Sequence, residues 1–186
     1  MSVSLSRAAV MAEAFLGLGT NLGEREMFLA RALAQLEGME GIRLGQLSGV
    51  YRSSAWGVID QPDFLNLCVQ IDTDLTPLEL LNACKGIEQA LGRQARRRWG
   101  PREIDIDILM MEGVDIDMPD LTIPHGRLSQ RRFVLEPLSE IAPGWKYDGL
   151  PVSVLAASLR ADAPDQVCEP DEKATQRLAE LRGSLR

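Results

Sequence analysis

Three observations predict an α+β fold with two helices laid against an antiparallel sheet. Strand-like and helix-like segments follow one another in the order β-α-β-β-α-β, both helical segments carry start and stop signals, and 186 residues suit one domain with its own core. That order is the ferredoxin-like arrangement. The domain is expected over residues 13–161, between a loose extension at 1–12 and a polar C-terminal tail at 162–186.

The elements can be justified in turn. RAAVMAEAFLGLG has a short apolar run like that of a signal peptide, but Glu13 interrupts it and no small-residue cleavage site follows. Residues 1–12 are therefore read as an extension, with Met11 an alternative start, and Ala14 to Leu18 as the first buried strand. GTNLGE turns into a helix, where Asn21 and Glu24 have the spacing of a capping box. Leu29, Leu33 and Leu36 keep helical spacing until Gly38. Ile42 to Arg52 and Leu65 to Ile71 read as strands separated by the long loop RSSAWGVIDQPDF. Thr76, Pro77 and Glu79 supply an N-cap, an N1 proline and a capping-box acid, and Leu81, Cys84, Ile87 or Glu88, and Leu91 mark one helical face until Gly92. Ile104 to Met111 is the next strand. A strand-like LTIP, the segment HGRLSQRRFVLEPL and the tail follow, and Leu178, Leu181 and Leu185 in the tail are spaced for a marginal helix.

Composition excludes several functions. A net charge of −7 argues against broad electrostatic binding of nucleic acid or anionic membrane, so any basic function is local. Cys68, Cys84 and Cys168 are odd in number and form no CxxC pair, which suggests neither a disulfide framework nor a zinc site and fits a reducing cytoplasm. No apolar run reaches the length of a membrane span.

The chemistry concentrates in RWGPREIDIDIL, Arg98 to Leu109. Residues two apart on a strand share a face, so Asp105 and Asp107 project together while Ile104, Ile106 and Ile108 take the other side. Paired carboxylates suit Mg²⁺, which takes hard oxygen ligands and commonly combines one or two carboxylates with substrate phosphates. The same spacing recurs at Asp72/Asp74 and Asp115/Asp117, so the pattern alone says little. The Asp105 pair differs in its neighbours: Arg93, Arg96, Arg97, Arg98 and Arg102 precede it or its Gly100-Pro101 turn, and guanidinium forks match phosphate oxygens. A nucleoside-triphosphate site and a solvated charged loop both fit these residues.

Around this core lie weaker signals. His125, the single histidine, sits in PHGRLSQRRF beside Arg127, Arg131 and Arg132, where it serves either as a structural hydrogen-bonder or as a donor to phosphate. The glycines of GLGTNLG fit neither a dinucleotide nor a Walker pattern and read as a tight turn lining a pocket. Phe64, Asn66 and Trp56 have the chemistry to stack on and hydrogen-bond a flat heterocycle, though each alone also suits packing.

Together these motifs resemble the 6-hydroxymethyl-7,8-dihydropterin pyrophosphokinase family of folate biosynthesis. The signature R-x-G-P-R-x-x-D-x-D followed by aliphatic residues is met at Arg98 to Leu109, and GLGTNLG, VYRSSAW, QPDFLN, E-x-x-x-G-R at Glu88 to Arg93, PH-x-R and RRFVLEPLSEIAP occur in order between Ala14 and Pro143. The resemblance implies transfer of diphosphate from ATP to the hydroxymethyl group of a reduced pterin with release of AMP. It implies that Asp105 and Asp107 bind two Mg²⁺ ions and, with Arg93 and Arg102, form the catalytic set. ATP contacts are expected from Lys85, Glu88, Arg93, Arg96, Arg102, His125 and Arg131. Phe64 and Phe133 are expected to sandwich the pterin, with Asn66, Ser53 and Trp56 completing its pocket. Arg97, Arg98 and Trp99 belong to a mobile lid. The segment from Gly92 to Trp99 is a residue shorter than in familiar members, which leaves Arg96 and Arg97 as alternatives for one phosphate contact, and Phe64 stands where tyrosine is common. A cytoplasmic monomer without nucleic-acid or membrane partners is expected.

Two rivals carry different expectations. A single-stranded RNA-binding module shares the element order, but it calls for aromatic-rich strands and a basic domain, whereas this chain has 5% aromatics and is acidic. A nucleotidyltransferase with the same two metals would release pyrophosphate rather than AMP.

Overall fold

A computed structural model describes residues 11–55, 60–94 and 100–185. All but the last two residues of the expected N-terminal extension lie outside the described residues. The chain forms β1 (Ala12–Thr20), α1 (Arg25–Glu37), β2 (Ile42–Leu47), β3 (Tyr51–Ser53), β4 (Phe64–Thr73), α2 (Pro77–Ala90), β5 (Asp105–Met111), β6 (Ile116–Met118), β7 (Leu121–Ile123), α3 (Arg132–Ile141), β8 (Lys146–Tyr147), β9 (Leu150–Pro151), α4 (Val152–Asp162), β10 (Cys168–Pro170) and α5 (Glu172–Leu185). The main sheet runs β10-β3-β4-β1-β5, with β2 also paired to β4. All its pairings are antiparallel, so β4 is inserted between β1 and the β2–β3 strand, as a ferredoxin-like sheet requires.

The strand expected over 42–52 is two strands on one partner. At the break the Ser48 hydroxyl accepts from the Cys68 amide at 2.9 Å and donates to the Gly49 carbonyl at 2.8 Å, so a side chain stands in for one ladder rung. The Thr76/Glu79 capping box and the N1 proline of α2 are present as read from the sequence. The box expected at Asn21 and Glu24 is not. The N-cap of α1 is Glu24 with no side-chain cap, following Gly23 at φ +62°, and the Asn21 side chain is taken up by distant loops instead.

Both faces of the sheet are covered. Leu16, Leu18, Leu65, Leu67, Ile106 and Ile108 form one core with α1, α2 and α5. Phe15, Cys68, Leu109 and Met110 form a second core with α3 and α4, where Phe15 meets the Trp145 ring edge-on at 5.0 Å. A register shift between β1 and β5 pairs Phe15 with Met110 but Leu16 with Ile108. The extra residue, Leu109, lets two successive side chains enter the second core.

The segment beyond Asp162, read as a polar tail, is built into the domain. β10 extends the sheet beside β3, and α5 packs on α1 with Ala174, Leu178 and Leu181 buried while Leu185 is exposed. Burying the two leucines contributes roughly 1.5–3 kcal/mol each. A helix marginal on its own is thereby held by tertiary contact.

Candidate active site

The site lies on the second face of the sheet, where α3 and α4 leave part of it open. Alternation along three neighbouring strands brings Gly17 and Gly19 of β1, Phe64 and Asn66 of β4, and Asp105 and Asp107 of β5 to one cleft of about 620 Å³. The glycines keep its floor flat. A Cβ at Gly19 would sit 3.1 Å from Asn66 Oδ1, and one at Gly17 would sit 3.3 Å from the Leu109 side chain. GLGTNLG therefore lines the pocket through Gly17, Leu18 and Gly19 of its strand, and its helix-side residues do not line it.

One end of the cleft is aromatic. Phe64 on β4 and Phe133 on α3 both line it, with the Arg102 guanidinium 5.9 Å from the first ring and that of Arg131 5.6 Å from the second. Asn66 Nδ2 donates to Ser53 Oγ at 2.9 Å, and both residues are buried, which fixes the amide's orientation at the floor. Such an arrangement stacks a flat ring and offers its edge a fixed polar partner.

The other end is charged. Asp105 is gripped by Arg93 and Arg102, and Arg131 approaches Asp107 at 3.7 Å. Burial alone would raise the Asp105 carboxyl, but the two guanidinium groups outweigh it and hold it below the ordinary carboxylate range. Asp107 is driven the opposite way by burial and by the neighbouring Asp105 charge, with His125, Lys85 and Arg131 opposing. Burial also lowers His125. Its Nδ1 accepts from the Arg127 amide at 3.2 Å, so the hydrogen-bond pattern assigns the proton of the neutral ring to Nε2. Lys85 and His125 line the cleft with Arg93, Arg102, Arg127 and Arg131.

Of the expected residues, Ser53, Phe64, Asn66, Lys85, Arg93, Arg102, Asp105, Asp107, His125, Arg131 and Phe133 come together here. Trp56 of the ring pocket, Arg96 and the lid residues Arg97, Arg98 and Trp99 lie outside the described residues. Glu88 differs from expectation: it is 2% exposed and does not line the cleft. Its Oε1 accepts from the Ile106 amide at 2.7 Å and from Lys85 at 3.0 Å, and Oε2 faces Arg93 at 2.5 Å. Glu88 braces β5 and two cleft cations from beneath.

Sequence reading missed Asn21 as a clasp. Its side chain donates to Gln61 Oε1 at 3.1 Å and to the Pro62 carbonyl at 3.0 Å and accepts from the Arg102 amide at 2.8 Å, tying together the segments that lead to Phe64 and Arg102. The capping-box spacing to Glu24 masked this role. The structure also separates the three D-x-D pairs. Asp117 sits exposed on the β6–β7 hairpin near Thr122, and Asp72 pairs across from Glu13 at the far end of β4.

Asp105 and Asp107 give a hard oxygen donor set. Among the described residues no third His, Cys, Asp or Glu joins them in a metal-binding cluster. The pair therefore fits Mg²⁺ that brings phosphate oxygens with it, rather than a self-sufficient protein cage.

Fold and site define a class: a ferredoxin-like α+β domain whose cleft gathers arginines and a carboxylate pair at one end and two aromatic rings at the other. Residues 15–143 match the model of the 7,8-dihydro-6-hydroxymethylpterin-pyrophosphokinase (HPPK) family, and the chain belongs to that family. It is 46% identical over 157 residues to a 2-amino-4-hydroxy-6-hydroxymethyldihydropteridine pyrophosphokinase of Methylorubrum extorquens, covering 84% of this chain and 99% of that one. The Bacillus subtilis protein of the same name is 42% identical, covering 69% and 77%. Among solved structures, a Plasmodium falciparum HPPK-DHPS triple mutant with an SDX-DHP ligand superposes with a TM-score of 0.68 at 19% identity. That match covers 84% of this chain but 43% of the other, so this chain spans less than half of that longer protein, and the likeness concerns the fold.

Proposed function

We propose that this chain transfers the β,γ-diphosphate of ATP to the hydroxymethyl oxygen of 6-hydroxymethyl-7,8-dihydropterin and releases AMP, a transferase step of folate biosynthesis. The observation that carries the reading is the juxtaposition in one cleft of a two-ring pocket and a carboxylate pair ringed by arginines. The family relatives bear the name of this activity.

The pterin ring lies between Phe64 and Phe133, with its polar edge on Asn66. Stacking and the fixed amide orient the hydroxymethyl group toward the charged end, converting an encounter of two substrates into a positioned one. Arg93, Arg102 and Arg131, together with the Nε2–H of His125, hold the triphosphate. Arg93 and Arg102 also pair with Asp105, so the phosphates share these cations with that carboxylate. Asp105 and Asp107 would hold Mg²⁺, which when bound neutralises phosphate oxygens. The hydroxymethyl oxygen forms a bond to the β-phosphorus in line, the bond from that phosphorus to the α–β bridging oxygen breaks, and AMP leaves with the electron pair. The hydroxyl proton is lost to solvent. A loose transition state needs little base assistance, and the arginines stabilise charge on the equatorial and leaving oxygens.

The reaction is assigned to a cytoplasmic monomer. Three buried free cysteines suit a reducing compartment, and among the described residues no helix is long and apolar enough to cross a membrane. The test is incubation with ATP, Mg²⁺ and the reduced pterin alcohol. AMP that forms only when the pterin is present is the expected result; ADP or free pyrophosphate as the product refutes the reading.

A further inference from the structure

Arg131 and Phe133, which both line the cleft, flank the first residue of α3, and the start of that helix has no side-chain cap of its own. It is held from outside by the α4–β10 connection, beyond the stretch that matches the family model. Gln166 Oε1 accepts from the Arg132 amide at 3.2 Å, and its Nε2 donates to the Gln130 carbonyl at 3.2 Å. Arg132 points away from the cleft, and its Nη1 donates to the Gln166 carbonyl at 2.7 Å. The same guanidinium meets Glu136 Oε1 at 3.2 Å, and Glu136 also accepts from Arg160 on α4.

This connection touches the opposite wall of the ring pocket as well. The Val167 carbonyl accepts from the Ser54 amide at 3.3 Å, and Cys168 pairs with Ser53, whose hydroxyl accepts from the Asn66 amide group. One short segment is therefore bonded to the backbone beside both Phe133 and Ser53.

We propose that Gln166 is a positioning residue for the ring pocket. It does not line the cleft. By bonding the backbone on both sides of Arg131 it sets the direction in which Arg131 and Phe133 leave the chain. Gln166 side-chain bonds to an amide and a carbonyl two residues apart stand in for the cap that α3 lacks.

The inference rests on the proposed reaction for its kinetic readout, so the experiment adds one that needs no substrate. Gln166→Leu keeps the side-chain bulk and removes both bonds, Gln166→Glu keeps the acceptor for the Arg132 amide, and Leu178→Ala in α5 lowers stability away from the cleft. Gln166→Leu is expected to raise the KM for the pterin alcohol about tenfold, the scale of one or two neutral hydrogen bonds, with kcat changed less than about threefold. Gln166→Glu should recover most of that loss. Amide hydrogen exchange over residues 131–135 should speed up in Gln166→Leu and not in Leu178→Ala. An unchanged KM in Gln166→Leu, or an equal rise in Leu178→Ala, overturns the inference. If the wild type makes no AMP with pterin, the proposed reaction fails, and unchanged exchange in Gln166→Leu would then overturn the brace on its own.

Discussion

Glu88 provides a strong test of how the charged end is built, because its carboxylate supports three cleft groups from a buried position. In Glu88→Ala the buried Ile106 amide loses the acceptor it has at 2.7 Å, a loss that typically costs about 1–3 kcal/mol. Removing two side-chain carbons' worth of packing from a 2%-exposed site adds about 1 kcal/mol. Arg93 retains Asp105, and Lys85 is 44% exposed, so their lost ion pairs add little. The sum is about 2–4 kcal/mol. Glu88→Gln leaves an oxygen for the Ile106 amide and loses the charge and the acceptor that faces partly exposed Arg93, so it should cost about 1 kcal/mol. Because burial raises the Glu88 carboxyl against the pull of Lys85 and the Ile106 amide, the neutral isostere is the milder change. Urea unfolding with an unchanged m-value measures both. A cost below 1 kcal/mol for alanine, or equal costs for glutamine and alanine, refutes the assignment of Glu88 as a brace of β5.

Other expectations follow from the same geometry. Asp107→Ala should lower kcat by at least about a thousandfold while the melting temperature stays within a few degrees, since the carboxylate is disfavoured where it stands; a kinetic assay with thermal melts decides this. Gly19→Ala should raise the pterin KM about tenfold, because the new Cβ, 3.1 Å from Asn66 Oδ1, pushes the amide off Ser53; an unaltered KM would show that the floor has room. Glu136 gives a pH test away from the cleft. Burial raises its carboxyl, but Arg160 and Arg132 overcome that and hold it below its ordinary 4.5. A depressed folded value means that its contribution is present above about pH 4.5 and lost as pH falls through the folded value. Glu136→Gln should therefore be less stable than wild type at pH 6, and the gap should narrow as pH falls below about 4.5 in urea titrations.

Much of this was legible in the sequence where the signal is local. The Thr76-Pro77-Glu79 start of α2 depends on neighbours three residues apart, and the alternation that puts Asp105 and Asp107 on one face is a property of any strand. The arginine-rich context singled out, among three D-x-D pairs, the one that lines the cleft. What stayed hidden depends on contacts far apart in the chain. Asn21 had the spacing of a cap, yet bonds to Pro62 and Arg102, 41 and 81 residues away, took its side chain. Glu88 carried a motif position that suggested a ligand contact, but only the approach of β5 shows that its carboxylate faces a strand amide. The tail's leucines looked marginal because their partner surface on α1 lies well over a hundred residues upstream.

The central claim is that one cleft holds both substrates, with the ring between Phe64 and Phe133 and the phosphates at Asp105 and Asp107. A crystal structure with a non-hydrolysable ATP analogue, the pterin alcohol and Mn²⁺ tests it most directly through anomalous scattering of the metal. The account predicts anomalous peaks within coordination distance of both carboxylates and a pterin stacked between the two rings, its hydroxymethyl oxygen facing the β-phosphorus. Metal bound elsewhere, or a nucleotide remote from Asp105 and Asp107, would contradict it.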